Sequence, residues 1–286
     1  MDKIYYDAMR TTITHVALCY DFDGTLIKGN MQEPTFIKKL GLTTKEFWAL
    51  ADKQTLEQSA DSILSYMKLM LDEASAKKLA FKREDFVDCG KEMLFFKGVT
   101  TWFERINEYA AKKGIKVSHY IISSGLQEMI EGTKIAEHFT KIYASSFMYD
   151  EYGRAVWPAR VVNYTDKTQY ITRINKGCLD PMDVKGVNKA MSKEERAIPF
   201  EHIIYFGDGD TDVPSMSMVK SRGGHCFAVY PPNKKGAKNK ASHLLTDGRV
   251  DFVLPADYSS GKRIEKCVKG IIDKIVADEK LASLKG

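Results

Sequence analysis

No stretch of this 286-residue sequence stays apolar for the roughly 18–20 residues that cross a bilayer, so a membrane span is not expected. The first fifteen residues, MDKIYYDAMRTTITH, lack the apolar stretch of a secretion signal. Cysteine is scarce. The five present, Cys19, Cys89, Cys178, Cys226 and Cys267, are scattered, odd in number and form no C-x-x-C pair. That pattern argues against a zinc site and against a disulfide framework. Cys19 and Cys226 fall inside apolar runs and read as small buried hydrophobes. Dense basic charge is lacking too: 43 Lys and Arg against 38 Asp and Glu leave a net charge of +5. The densest basic patch, Asn233–Lys240, reads as a solvated surface loop. Nucleic-acid binding would want a larger footprint with interleaved aromatics. These absences describe a cytoplasmic protein with neither a membrane nor a nucleic acid as partner. Its mild positive charge suits small anionic ligands, and nothing in the sequence fixes an oligomeric state.

Several short apolar runs end in polar turns. HVALCY (His15–Tyr20) leads into DFDGT, KVSHYII (Lys116–Ile122) into SSG, and HIIYF (His202–Phe206) into GDGDTD. A further run, CFAVY (Cys226–Tyr230), ends in PPN. Such β-rich runs bounded by turn residues read as buried strands. Thr100–Gly114 has helical periodicity, with Trp102, Phe103, Ile106 and Tyr109 on one face and Gly114 as its stop. The C-terminal stretch GKRIEKCVKGIIDKIVADEK reads as an amphipathic helix. Strand–helix alternation predicts an α/β fold with an open parallel sheet and helices on both faces. In such folds chemistry collects at the carboxyl ends of the strands, which is where the three polar turns lie.

The character changes between Gly29 and Phe96. This segment is lysine-rich and helical in pattern, with Ile63, Met67, Met70 and Leu71 at helical spacing. It is far longer than a single crossover requires, so it reads as a small helical domain inserted after the first strand. The expected division is a discontinuous core, residues 1–29 and 97–286, and an insertion, residues 30–96. Its hinges fall near Lys28–Asn30 and Lys97–Gly98. Tyr143–Tyr164 reads as two strands joined by a DEYG turn. The role of residues 180–199 stays open.

The acidic turns carry the chemistry. Neither Asp21-Phe22-Asp23-Gly24-Thr25 nor Asp208-Gly209-Asp210-Thr211-Asp212 fits a calcium loop. The glycine and bidentate glutamate that such a loop needs at its sixth and twelfth places are Leu26 and Gln32 in one and Val213 and Val219 in the other. Asp21, Asp23, Asp208 and Asp212 could not all stay ionised at close range without a cation. An all-oxygen set of this kind suits magnesium.

DFDGT, a strand ending in Ser123, then Lys167, then GDGDTD together resemble the four-motif signature of the haloacid dehalogenase superfamily. The resemblance covers residues about 14–29 and 97–255. It implies a Rossmann-like core, and the insertion resembles the helical cap of the branch containing phosphoserine phosphatase. By this resemblance Asp21 is a nucleophile that becomes phosphorylated, and Asp23 protonates the leaving oxygen and then activates water. Magnesium is expected on the Asp21 side chain, the Asp23 backbone carbonyl and Asp208, with Asp212 reaching it through water. Ser123, with Ser124 and Gly125 ahead of a helix N-terminus, is expected to hold phosphate. Lys167 falls in the first turn of a helix capped by Thr165 or Asp166, where a cation opposes the helix dipole. Lys176 and Lys185 remain rivals for its part, and Asp210 reads as a turn residue. Asn30, Gln32 and Glu33, the first residues of the insertion, are expected to touch the leaving group.

The expected activity is magnesium-dependent hydrolysis of a small phosphorylated metabolite. A phosphotransferase or mutase would pass the phosphoryl group to a sugar hydroxyl instead. A dehalogenase needs neither the second aspartate nor the acidic metal motif, and a non-catalytic relative usually lacks the nucleophile or a metal ligand. Which metabolite is the substrate stays open at this stage.

Overall fold

A computed structural model describes residues 13–284. The reading of the N-terminal residues through Thr12 therefore lies outside the described residues, as do Lys285 and Gly286 of the expected core. Seven strands form one sheet in the order β4-β3-β2-β1-β5-β6-β7. They are β1 (His15–Tyr20), β2 (Lys116–Leu126), β3 (Phe139–Tyr149), β4 (Ala155–Arg160), β5 (Ile203–Gly207), β6 (His225–Tyr230) and β7 (Phe252–Pro255). All neighbours run parallel except β3 and β4, which form an antiparallel hairpin at one edge. This is the Rossmann-like α/β arrangement, with β1 at the centre, between β2 and β5.

Alternation along β1 divides the interior. Val16, Leu18 and Tyr20 enter one apolar cluster, and Ala17 and Cys19 enter the other. Both faces of the central strand are thus dry, which explains its unbroken apolar run. The first face is covered by the helices Trp102–Ala111 and Arg263–Ser283, through residues such as Phe103, Ile106, Val268 and Ile272. The second is covered by Asp166–Lys176, Val213–Ser221 and Ala237–Thr246, through residues such as Ile171, Met216 and Ala241. Among the described residues no helix is long and apolar enough to cross a membrane.

Between β1 and the core helix Trp102–Ala111 the chain makes four helices: Phe36–Lys39, Thr44–Gln58, Ser62–Ala76 and Arg83–Gly90. Local chemistry starts the two long ones. Thr43 and Glu46 form a reciprocal capping box. The Asp61 carboxylate accepts from the N–H groups of Ile63 and Leu64. Ile63, Met67 and Met70 are buried and Leu71 is partly so, joining the same apolar cluster as the first face of the sheet. The segment is anchored to the sheet on two sides. Tyr66 donates to the Ser124 carbonyl at 2.8 Å, and Asn163 donates to the Asp61 carboxylate at 2.8 Å. The helix Arg83–Gly90 lies so close to residues 129–132 that a β-carbon on Gly90 would sit 2.0 Å from the Met129 carbonyl.

Some local expectations shift. The turn before the helix Trp102–Ala111 is 3₁₀, and His202 belongs to a 3₁₀ turn preceding β5. The basic stretch Asn233–Lys240 is more than a loop, since the helix Ala237–Thr246 begins inside it. Residues 180–199 hold one short helix, Val184–Asn188. The buried Arg173 guanidinium organises their start by donating to the carbonyls of Asp180, Pro181 and Asp183 at 2.7–3.0 Å. Gly98, expected as a hinge, has φ +82 but is wedged: a β-carbon there would lie 2.3 Å from the Ser259 nitrogen.

Candidate active site

Three strands deliver the acidic and hydroxyl groups to one place. Asp21 is the first residue past β1, and its N–H donates to the Phe206 carbonyl of β5 at 2.8 Å. That bond sets the end of β1 beside the Asp208–Asp212 turn. Carboxylate oxygens of Asp21, Asp208 and Asp212 lie within 4.8 Å of one another. Asp210 is left outside, exposed, with Lys240 at 3.8 Å.

Lys167 enters this cluster from the helix Asp166–Lys176 with no solvent exposure at all. Its ammonium donates to Asp21 Oδ1 and to Asp212 Oδ1, each at 2.8 Å. Thr165 precedes the helix but makes no side-chain cap, so only the ion pairs offset the dipole's opposition to a buried cation there. Lys176 is elsewhere, donating to the carbonyls of Val187 and Lys189, and Lys185 is exposed on the short helix. Asp212 has no oxygen to spare. Oδ1 also accepts from the Tyr205 hydroxyl at 2.7 Å, and Oδ2 accepts from the N–H groups of Asp208 and Gly209. Among the described residues, no hydrogen bond of this kind reaches Asp21 Oδ2 or either Asp208 oxygen.

The protonation states follow from this crowding. Burial pushes the Asp21 carboxyl up, against the opposing pull of Lys167. Burial, with the charges of Asp21 and Asp212, likewise raises Asp208. Burial acts to neutralise Lys167, but Asp21 and Asp212 outweigh it and hold its pKa above the ordinary lysine value. Ionisation of all three carboxyls beside one ammonium would leave two negative charges unbalanced, which a bound cation would offset. The free donors are all hard oxygens, which fits a divalent hard cation.

Asp23 faces the cavity beside this cluster. Its Oδ1 accepts the Met31 N–H at 3.0 Å. Burial first, and then the Asp21 charge, hold its carboxyl well above the usual carboxylate range.

The end of β2 supplies the hydroxyls. The pairing with β3 shifts register between Ser123 and Leu126, which throws Ser124 and Gly125 out of the ladder. Ser123 Oγ is buried and accepts the Gly125 N–H at 3.1 Å. Ser124 Oγ is buried without a hydrogen-bond partner. An unpaired buried hydroxyl beside carboxylates and a lysine is the kind of group that a ligand oxygen would satisfy. The helix that follows, Gln127–Glu131, is a short one.

One cavity of about 1160 Å³ joins these groups to the helices Thr44–Gln58 and Ser62–Ala76. Asp21, Asp23, Asp208, Ser123, Ser124 and Gly125 line it, and so do Asn30, Gln32 and Glu33. Lys167 and Asp212 sit behind the wall. Sequence reasoning missed other parts of the lining: Trp48, Asp52 and Tyr66 from the insertion, and Asn233 and Lys234 after β6. Trp48 adjoins the buried Phe47 on its helix and reads from sequence as one more core aromatic. The PPN turn after the β6 run was the only available signal for the other loop.

The haloacid dehalogenase-like hydrolase family model matches residues 18–217. The chain is 31% identical to an uncharacterized protein of Borreliella burgdorferi, over 87% of this chain and 93% of that one. Among solved structures it resembles a HAD-family hydrolase of Salmonella enterica serovar Typhi, with a TM-score of 0.55 at 16% identity, covering 83% of this chain and 66% of that one, just under two thirds. It also resembles a probable phosphoserine phosphatase of Vibrio cholerae, with a TM-score of 0.57 at 10% identity over 94% and 67% of the two chains. A phosphoserine phosphatase described as a phospho-aspartyl intermediate analogue gives a TM-score of 0.51 at 14% identity over 84% and 93%. At these identities the structural likenesses speak for the fold.

Proposed function

The chain belongs to the haloacid dehalogenase-like hydrolase family, and on that premise we propose that it hydrolyses a small phosphomonoester through transient phosphorylation of Asp21. The observation that carries this reading is geometric: two carboxyl groups, two residues apart in the chain, line one cavity in different settings. Asp21 is held by Lys167 through Oδ1 beside Asp208 and Asp212, while Asp23 stands next to them with its Oδ1 on the Met31 N–H, and burial raises its carboxyl toward the protonated form.

Asp21 Oδ2 attacks phosphorus in line, and the bond from phosphorus to the ester oxygen breaks. Asp23 gives its proton to that oxygen, so a neutral alcohol departs. The resulting Asp23 carboxylate then takes a proton from water, and the hydroxide attacks phosphorus. Phosphate leaves, Asp21 is restored and Asp23 is again protonated. Ser123 and Ser124 provide hydroxyls, and Gly125 the backbone, around the phosphoryl oxygens. Lys167 fixes Asp21 and adds positive charge behind the phosphoryl group. Asp21, the Asp23 backbone carbonyl and Asp208 would hold Mg2+, with Asp212 acting indirectly because its own oxygens are occupied. The cation would neutralise charge on the transferring group.

Residues 30–96 serve as a cap over this chemistry in our reading, with residues 1–29 and 97–286 as the core. The cavity between them supports this, and Asn30, Gln32 and Glu33 are then placed to meet the leaving group. Five free cysteines suit a reducing compartment, and we assign the enzyme to the cytoplasm. The direct test is phosphate release from p-nitrophenyl phosphate with no sugar acceptor present. Release that requires Mg2+ and stops with a chelator supports hydrolysis. Turnover only when an acceptor hydroxyl is supplied would make the enzyme a phosphotransferase.

A further inference from the structure

The inserted helices bring a second, distinct chemistry to the cavity. Glu33 is a carboxylate held in place and left without a cation. Its Oε1 accepts from Asn30 Nδ2 at 2.9 Å and from Trp48 Nε1 at 3.1 Å. Both donors are neutral, and among the described residues Glu33 forms no ion pair. Gly29, at φ +72, leaves the space that Oε2 occupies, where a β-carbon would lie 2.7 Å away. The chain also fixes Glu33 near the reacting bond: the Met31 N–H, two residues earlier, is the group bonded to Asp23.

The surroundings of Glu33 favour a positive guest. The Trp48 and Tyr66 rings meet edge to face, 5.8 Å apart, and both line the cavity. Aromatic faces attract an ammonium through their quadrupole. Gln32, only 1% exposed, lines the same space with Oε1 unpartnered, a ready acceptor for an N–H group. Asp52 adds further negative charge to the lining. Nothing comparable awaits a carboxylate on this side. The only arginine of residues 30–96 is Arg83, which is paired with Glu131 and absent from the lining. The lining lysines Lys28, Lys97 and Lys234 are all exposed, where they raise the local concentration of anions without forming a dry pocket.

Building on the phosphohydrolase reading above, we infer that the alcohol released carries an ammonium group and no carboxylate. The ammonium lodges between the Glu33 carboxylate and the Trp48 and Tyr66 rings, while the phosphoryl group sits on Asp21.

The test compares kcat/KM for O-phosphoethanolamine, glycerol 1-phosphate and O-phosphoserine, with p-nitrophenyl phosphate as the check on phosphatase chemistry itself. O-phosphoethanolamine should exceed the other two esters at least tenfold. The Glu33→Gln variant should shrink the ratio of O-phosphoethanolamine to glycerol 1-phosphate at least fivefold. Magnesium-dependent hydrolysis of p-nitrophenyl phosphate with no preference for the ammonium ester overturns this inference and leaves the phosphohydrolase reading standing. A preference for O-phosphoserine also overturns it. Absence of p-nitrophenyl phosphate hydrolysis overturns the phosphohydrolase reading, and this inference with it.

Discussion

The Lys167 ammonium lies 2.8 Å from Asp21 Oδ1, across 146 residues of chain and without contact with solvent. A second 2.8 Å bond ties it to Asp212, so one cation neutralises part of two carboxylates that would otherwise repel. Removing one partner of such a buried set leaves uncompensated charge, at a typical cost of about 3–5 kcal/mol. Lys167→Met should therefore lower stability by that order and reduce kcat at least a hundredfold. Thermal unfolding and steady-state rates measure both. Near wild-type turnover in this variant would remove Lys167 from the mechanism.

Asp208 is positioned by an absence. Gly24 has φ +70, and a β-carbon on it would lie 2.1 Å from Asp208 Oδ2. Gly24→Ala must push the Asp208 carboxylate aside as well as strain the backbone. Mg2+ should raise the melting temperature of the wild type, because it binds the folded site. The rise should be lost in Gly24→Ala and in Asp208→Ala. An undiminished magnesium response in both variants would mean that Asp208 is not a ligand.

Beneath the nucleophile lies a chain of buried donors. Trp102 Nε1 donates to the Tyr20 hydroxyl, which pairs with His119 Nδ1 at 3.0 Å, while His119 Nε2 meets Asn107 Oδ1 at 3.0 Å. The geometry suits a neutral ring with its proton on Nε2. Burial holds the His119 pKa down at about 3, against 6.5 for a free histidine. The unfolded chain binds this proton first as pH falls below 6.5, so stability drops from there toward pH 3. The slope is about 1.4 kcal/mol per pH unit for a single such group. His119→Gln should flatten the acid limb of the melting temperature between pH 6.5 and 4. His15, His202 and His225 shift in the same direction and remain in both proteins, so the comparison isolates His119. Equal slopes in the two proteins would refute the assignment.

The helices between β1 and Phe96 are held to the core unequally. Gly90 and Gly132 bring the helix Arg83–Gly90 into backbone contact with the core, and a β-carbon on Gly132 would lie 1.9 Å from the Val87 carbonyl. The helix Ser62–Ala76 is hydrogen-bonded to the core through Tyr66 and its capping residue Asp61, and it packs on β4. Amide exchange with added Mg2+ and a phosphate analogue should slow in Thr44–Gln58 and Ser62–Ala76 more than in Arg83–Gly90. Uniform slowing across all three would argue for a rigid cap.

What the sequence disclosed was the set of residues that short local patterns bring to one cavity. Asp21, Asp23, Asp208 and Asp212 were legible because strand ends followed by acidic turns are read within a few residues. The strands β1, β2, β5 and β6 were legible because burial on both faces leaves continuous apolar runs. β7 is only four residues, too short to announce itself. Lys167 could not be separated from Lys176 and Lys185, because what distinguishes it is contact with Asp21, 146 residues away. Trp48 and Tyr66 were invisible as cavity residues for the same reason. Their place depends on how the inserted helices dock, and a helix carries no local mark of which aromatic will face a cavity instead of the core.

The central claim is that Asp21 carries the phosphoryl group. The most direct measurement quenches the working enzyme in acid within its first turnovers and locates the added phosphoryl by peptide mass spectrometry. The Asp23→Asn variant, supplied with an aryl phosphate whose leaving group needs no proton, should accumulate the adduct because it cannot activate water. The account predicts one phosphoryl group on Asp21 in the wild type, more of it in Asp23→Asn, and none in Asp21→Asn. A phosphoryl group found on Ser123 or on another side chain, or full turnover by Asp21→Asn, would contradict it.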